Sequence, residues 1–293
     1  MHASHPTTTA LTSATRRVSA ACQGTDRARA DAVRMSITAA PQRTTGLRAL
    51  LLADRHSLPL TTALHLVPGA LVVAAYLLIA EPFVQAIEYP IFFAWAIALV
   101  IVLAPLLLGL LWLGGGSLRG VLAYTGRPIS RGRITWLIAG LIVWMTVVSL
   151  ALTPLDSLVF EKLFTWIPFE GAGGSATTYL DGYSHSRIVV TMLISLPLTG
   201  FSLPLIEELY FRGFLLPRIA HLGWRAPVLN TVLFSVYHFW APWTVLSKLV
   251  FLFPAVWLVW RKRDIRISIG MHPGTTLLMA TLGTIALLLG YQP

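Results

Sequence analysis

The sequence predicts an all-α fold: a polytopic transmembrane helical bundle of about seven spans. Three observations predict it. The 293 residues are 56% hydrophobic with a mean hydropathy of +0.72, far too apolar for a water-soluble domain of this length. Only 12% are charged. Apolar runs of membrane-crossing length, roughly 17–23 residues, recur between short polar connections.

The runs fall at 61–80, 91–113, 134–152, 188–206, 226–243, 245–260 and 268–290. The fourth is expected to continue as helix through Arg212 towards Ile219. Ahead of them, residues 1–50 are rich in Ala, Thr, Ser and Arg without apolar periodicity and read as a disordered segment. They lack the apolar core of a signal peptide, and Met35 is an alternative start to Met1. The organisation read from the sequence is therefore 1–50 disordered, 51–187 N-terminal membrane helices and 188–293 a second membrane region.

Charge in the connections sets the expected orientation. Arg119, Arg127, Arg131 and Arg133 stand in 114–133 without an acid, which marks a cytoplasmic loop. Arg218 with Arg225, and Arg261-Lys262-Arg263 with Arg266, mark two more. Glu81 and Glu88 stand in 81–90 without a base, so that loop faces outside. These place the N-terminus in the cytoplasm, with 153–187 as the long external connection. The net charge of +10 follows from such loops, and no nucleic-acid motif accompanies it, so no nucleic-acid partner is expected. The 19 arginines against three lysines fit a GC-rich bacterial source, hence a bacterial cell membrane. Cys22 is the only cysteine, which excludes an intrachain disulfide and a multi-cysteine metal site.

One segment departs from this apolar background: Ile206-Glu207-Glu208-Leu209-Tyr210-Phe211-Arg212. A charged side chain at bilayer depth costs on the order of 3 kcal/mol, so such residues usually serve a polar cavity. On a helix, Glu208 and Arg212 share a face four residues apart, the favourable acid-before-base order. Glu207 is rotated away by about 100°. The simplest division makes Glu208–Arg212 a structural ion pair and leaves Glu207 to a cavity; the reverse stays open, because Arg212 also reaches back five residues. A carboxylate held from bulk water suits general-base work.

Two histidines complete the group. The turn after this helix falls near His221-Leu222-Gly223-Trp224, about 15 residues beyond Glu207 and about 15 before His238. An antiparallel hairpin then brings Glu207 and His238 to one depth. His272 lies six residues past Arg266, a similar distance below the cytoplasmic boundary. Pro273 suits the first turn of a helix, so a helix is expected to begin or restart at His272 with free N–H groups for an oxyanion. His65, His56, His185 and His221 show no comparable partners in the sequence.

Together these residues resemble the CAAX-protease and bacteriocin-processing family of intramembrane proteases, the Abi family. The resemblance rests on Glu207-Glu208-x-x-x-Arg212, then Phe234-x-x-x-His238, then His272 in a late span, and covers about 190–280. The family pattern has an asparagine four residues after the last histidine, where this chain has Thr276, a hydroxyl without an amide. The resemblance implies that 188–293 is a catalytic membrane core hydrolysing a peptide bond in a membrane-associated protein or peptide. Carried onto this chain, Glu207 with His238 activates a water, His272 and Thr276 stabilise the oxyanion, and Glu208 with Arg212 fixes the helix. No cofactor is required by that scheme; the alternative is zinc held by Glu207, His238 and His272. Expected partners are membrane lipid and the substrate. Rival readings are a non-catalytic immunity or scaffold protein, and an ion-coupled carrier using Glu207 and Glu208.

Overall fold

The structure, a computed structural model, describes residues 46–115, 129–167, 169, 180 and 182–290. The segment 1–45, Cys22 and Met35 included, lies outside the described residues, as do 116–128 and most of 168–181. Leu50–Pro293 forms one compact unit. Of residues 1–49, only 46–49 are described, at the start of a short helix α1 (Leu47–Leu52).

Every long element is helical, and no strand occurs among the described residues. Among the described residues, six helices are long and apolar enough to cross a membrane: α2 (Leu58–Ala86), α3 (Ile91–Gly115), α4 (Arg131–Phe164), α5 (His185–Arg218), α7 (Pro242–Lys262) and α8 (Arg266–Leu288). Between α5 and α7 sits α6 (Arg225–Val236), with 12 residues. At 1.5 Å per residue it spans about 18 Å, well short of a hydrocarbon core of about 30 Å. The protein is thus an integral membrane protein with six membrane-length helices and a partial seventh.

Three boundaries differ from the sequence reading. Residues 81–86, expected in a loop, continue α2. The run 226–243 is not one helix: after Val236 the chain enters an irregular turn through Tyr237–Ala241, and Pro242 opens α7. Residues 153–164, expected in a loop, continue α4 in spite of Pro154. That extension brings Asp156 against Ser247 of α7, whose hydroxyl donates to it at 2.8 Å. Each end of α5 is tied to a neighbouring connection. Arg187 at the start of α5 donates to the Glu88 carbonyl at 2.7 Å and pairs with its carboxylate at 3.1 Å. At the other end of α5, Arg218 donates to the carbonyls of Leu51, Phe214 and Gly114 at 3.0, 2.9 and 3.1 Å.

The buried face of α2 prepares the site. Thr61, Leu64, His65, Pro68, Gly69 and Val72 recur at helical spacing and are all buried. Pro68 has no N–H, so the Leu64 carbonyl lacks its helical donor; the Tyr210 hydroxyl of α5 donates to it at 3.1 Å. At Gly69 the backbones of α2 and the Tyr237 turn touch, and a Cβ there would lie 1.9 Å from the Tyr237 carbonyl oxygen. Gly69→Ala is therefore expected to lower stability by about 1–3 kcal/mol by overpacking. It should also depress activity by displacing Tyr237–His238. Thermal unfolding in detergent beside a cleavage assay checks both, and a variant of wild-type stability would refute the contact.

Candidate active site

The glutamates lie where α5 changes its winding. Leu203–Glu207 is α-helical, and Glu208–Leu215 is π-helical, closed by the Leu216 N–H donating to the Phe211 carbonyl. Single π turns inside α-helices occur often at functional sites. Glu207, Glu208 and Arg212 are all buried.

Glu208 and Arg212 approach to 3.3 Å, the expected ion pair. The guanidinium lies flat over the Phe234 ring, 3.7 Å from its centroid, and its nitrogens make no aligned hydrogen bond among the described residues. Packing against an aromatic face thus supplements the charge contact. The same Glu208 oxygen accepts a hydrogen bond from His272 Nδ1 at 2.8 Å. The depth argument therefore brings His272 to the glutamate pair, but to Glu208 rather than to Glu207.

Glu207 accepts a hydrogen bond from the Tyr237 hydroxyl. No hydrogen bond joins Glu207 to His238 among the described residues; the residue beside the expected partner makes the contact. Tyr237 reaches it because the chain leaves helix after Val236. His238, in the same turn, donates from Nδ1 to the Phe234 carbonyl at 2.8 Å. A carbonyl only accepts, so the neutral ring presents an unprotonated Nε2. Phe234 is the hub: its ring meets His238 at 5.0 Å, His272 at 6.0 Å and Phe211 at 4.9 Å, centroid to centroid.

Two features differ at α8. The helix begins at Arg266, so Pro273 is interior and His272 is not at a helix end. The start is set by Asp264, which accepts the Arg266 N–H at 3.1 Å and its guanidinium at 2.9 and 2.6 Å. The Arg266 guanidinium holds the Asp264 carboxyl below the usual carboxylate range. Thr276 donates its one hydroxyl hydrogen among the carbonyls of Gly200 (2.7 Å), His272 (3.0 Å) and Pro273 (3.3 Å). It thus ties α8 to α5. Thr276→Val is expected to cost about 1 kcal/mol of stability and to leave cleavage within about twofold. A hundredfold loss at unchanged stability would mean that this hydroxyl serves the reaction.

Several polar neighbours were not singled out from the sequence. Lys248, in the first turns of α7, donates to Thr244 and lies within electrostatic reach of Glu207, Asp156 and His238. His65 and Asn230 are buried behind α5 and bonded to each other, contrary to the expectation that His65 stands alone. For zinc, Glu207, His238 and His272 would have to converge. No three His, Cys, Asp or Glu side chains among the described residues form a group that could hold a metal ion. This set does not fit a three-ligand zinc centre.

Residues 189–278 match the family model described as type II CAAX prenyl endopeptidase Rce1-like. The match takes in the glutamate pair, Phe234, His238, His272 and Thr276, and bears out the resemblance to CAAX proteases. No curated protein and no solved structure matches the chain. The family match supports an intramembrane CAAX-type endopeptidase, and with the six apolar helices it points to lipid surroundings and a membrane-associated substrate.

Proposed function

We propose that this protein hydrolyses a peptide bond in a membrane-associated protein or peptide, using a water activated by Glu207 and His238. One observation carries the reading: a buried glutamate is held by the hydroxyl of Tyr237, whose neighbour in the chain is a histidine with Nδ1 committed and Nε2 left to accept. Glu207 takes a proton from the water as its oxygen attacks the scissile carbonyl carbon, and His238 Nε2 accepts the water's second hydrogen bond. The carbonyl electron pair moves onto oxygen. In its doubly protonated form His272 donates Nδ1–H to Glu208 and leaves Nε2–H for that oxyanion. Collapse breaks the C–N bond, and the leaving nitrogen takes the proton held by Glu207. Glu208 and Arg212 hold the helix that carries Glu207.

The water activation needs only these side chains, so cleavage is expected to survive treatment with a zinc chelator. The bacterial source and the cytoplasmic N-terminus read from loop charge belong to the same proposal, with 188–293 as its catalytic region. No observation favours the carrier or scaffold readings. Comparative peptidomics of membranes carrying wild type or Glu207→Ala tests the function. Paired fragments of one membrane-associated protein should appear only with wild type. Identical peptide inventories, with both proteins equally abundant, would sink the proposal.

A further inference from the structure

The geometry points to His65, acting through Asn230, as a positioning residue that fixes the π-helical register of α5 and so the direction in which Glu207 and Glu208 face. The inference rests on the proposed peptidase activity for its kinetic consequence, though not for its structural one.

Every side-chain donor of the pair has an acceptor. His65 Nδ1 lies 2.8 Å from the Thr61 carbonyl, which only accepts, so Nδ1 carries the proton and Nε2 is an acceptor. Asn230 Nδ2 stands 3.1 Å from that Nε2 and 3.0 Å from the Phe211 carbonyl. Its two amide hydrogens thus serve both acceptors. Flipping the amide would set its oxygen against both, so the orientation is forced. Both side chains have no exposed surface.

The Phe211 carbonyl is the one that closes the π segment, accepting from the Leu216 N–H five residues on. Losing the extra residue per turn would rotate one end of α5 against the other by about 100°. Both ends are committed. Where the π segment begins, Glu207 and Glu208 meet Tyr237 and His272. Below it, Arg218 is tied to Leu51, Phe214 and Gly114. The π register satisfies both sets, and Asn230 holds the carbonyl that closes it. His65 stands on α2, outside the matched segment 189–278, so the first membrane helix contributes to a site otherwise built from the later ones.

Full-length protein in detergent micelles tests this with His65→Leu and His65→Gln. Glutamine can donate to the Thr61 carbonyl and accept from Asn230; leucine can do neither. Amide exchange over 212–216 should quicken about tenfold or more in His65→Leu, with α3 and α8 unchanged, and should return towards wild type in His65→Gln. On a farnesylated peptide ending in a Cys-a-a-X sequence, kcat should fall about a hundredfold in His65→Leu with KM within twofold, because a small misplacement of the reacting groups is felt in turnover. Unchanged exchange and kcat in His65→Leu overturn the proposal, as does loss of protection spread evenly over all helices. If wild type fails to cleave any peptide, the peptidase reading falls. The exchange pattern alone then decides whether His65 sets the register.

Discussion

Glu207→Gln abolishes peptide-bond cleavage while the protein stays folded and abundant in the membrane. Glutamine keeps the size of the side chain and can still accept the Tyr237 hydrogen bond through its carbonyl oxygen, so the packing around Tyr237 and Phe234 is retained. What it cannot do is take a proton from water. General-base catalysis contributes typically 10²–10⁴-fold, so the expected loss in kcat is on the order of 10³-fold with KM little changed. His238→Ala should lose a comparable factor; His238→Asn should lose less, its carboxamide still able to accept from the water. Tyr237→Phe separates support from chemistry. It removes the hydrogen bond that holds Glu207 yet leaves the carboxylate, and about a tenfold loss is expected, in kcat alone. The measurement is single-turnover cleavage of a reconstituted reporter, with thermal unfolding of each variant beside it. Full activity in Glu207→Gln would remove Glu207 from the chemistry whatever the other variants do.

The parts of this site differ in how they could be read from the sequence, and the reason is the range of the interaction. The Glu208–Arg212 pair is legible because both residues lie on one turn, and a charge pair in apolar surroundings stands out against its background. The common level of His272 and the glutamates is legible because helix rise converts residue counts into depth. Which glutamate His272 meets is not, since that depends on the rotation of α5, and no residue type marks the π segment Glu208–Leu215. His65 and Asn230 escape notice for a related reason: they are 165 residues apart, and each alone is a common polar residue in a helix. Tyr237 was in view beside His238, but a helix through that point would turn it about 100° away from its neighbour. Its contact with Glu207 exists because α6 stops at Val236. Hydropathy cannot see that stop, because the residues of the turn, Phe239, Trp240 and Ala241, are as apolar as the helix before them. Pro273 misleads in the opposite sense, because proline suits a helix start. In a membrane helix an interior proline is tolerated when neighbours satisfy the freed carbonyl, and the start of α8 was set instead by Asp264.

Removing either charge of the Glu208–Arg212 pair is expected to damage the fold more than removing both. Both side chains are at most 1% exposed, so taking away one partner leaves the other as an uncompensated buried charge, at a cost of roughly 3–5 kcal/mol. Arg212→Met alone leaves Glu208 with His272 and Ser268, and Glu208→Leu alone leaves a guanidinium with the face of Phe234 and the charge of Glu207. The double variant Glu208→Leu/Arg212→Met carries neither charge and fills a similar volume with apolar atoms. Its stability should recover to within about 1–2 kcal/mol of wild type. Activity should not recover with it. Without Glu208, His272 Nδ1 has no acceptor at that position, so the ring loses the contact that orients it, and α5 loses its charge tie to α8. A stable and inactive double variant therefore separates the two tasks of Glu208, holding Arg212 and directing His272. Equilibrium unfolding of the three variants in mixed micelles, set against their kcat values, reads both. Recovery of turnover together with stability would mean that Glu208 serves only the fold. A double variant no more stable than either single one would mean that the Glu208 and Arg212 charges are not energetically coupled, and that Phe234 and Glu207 offset the burial of Arg212.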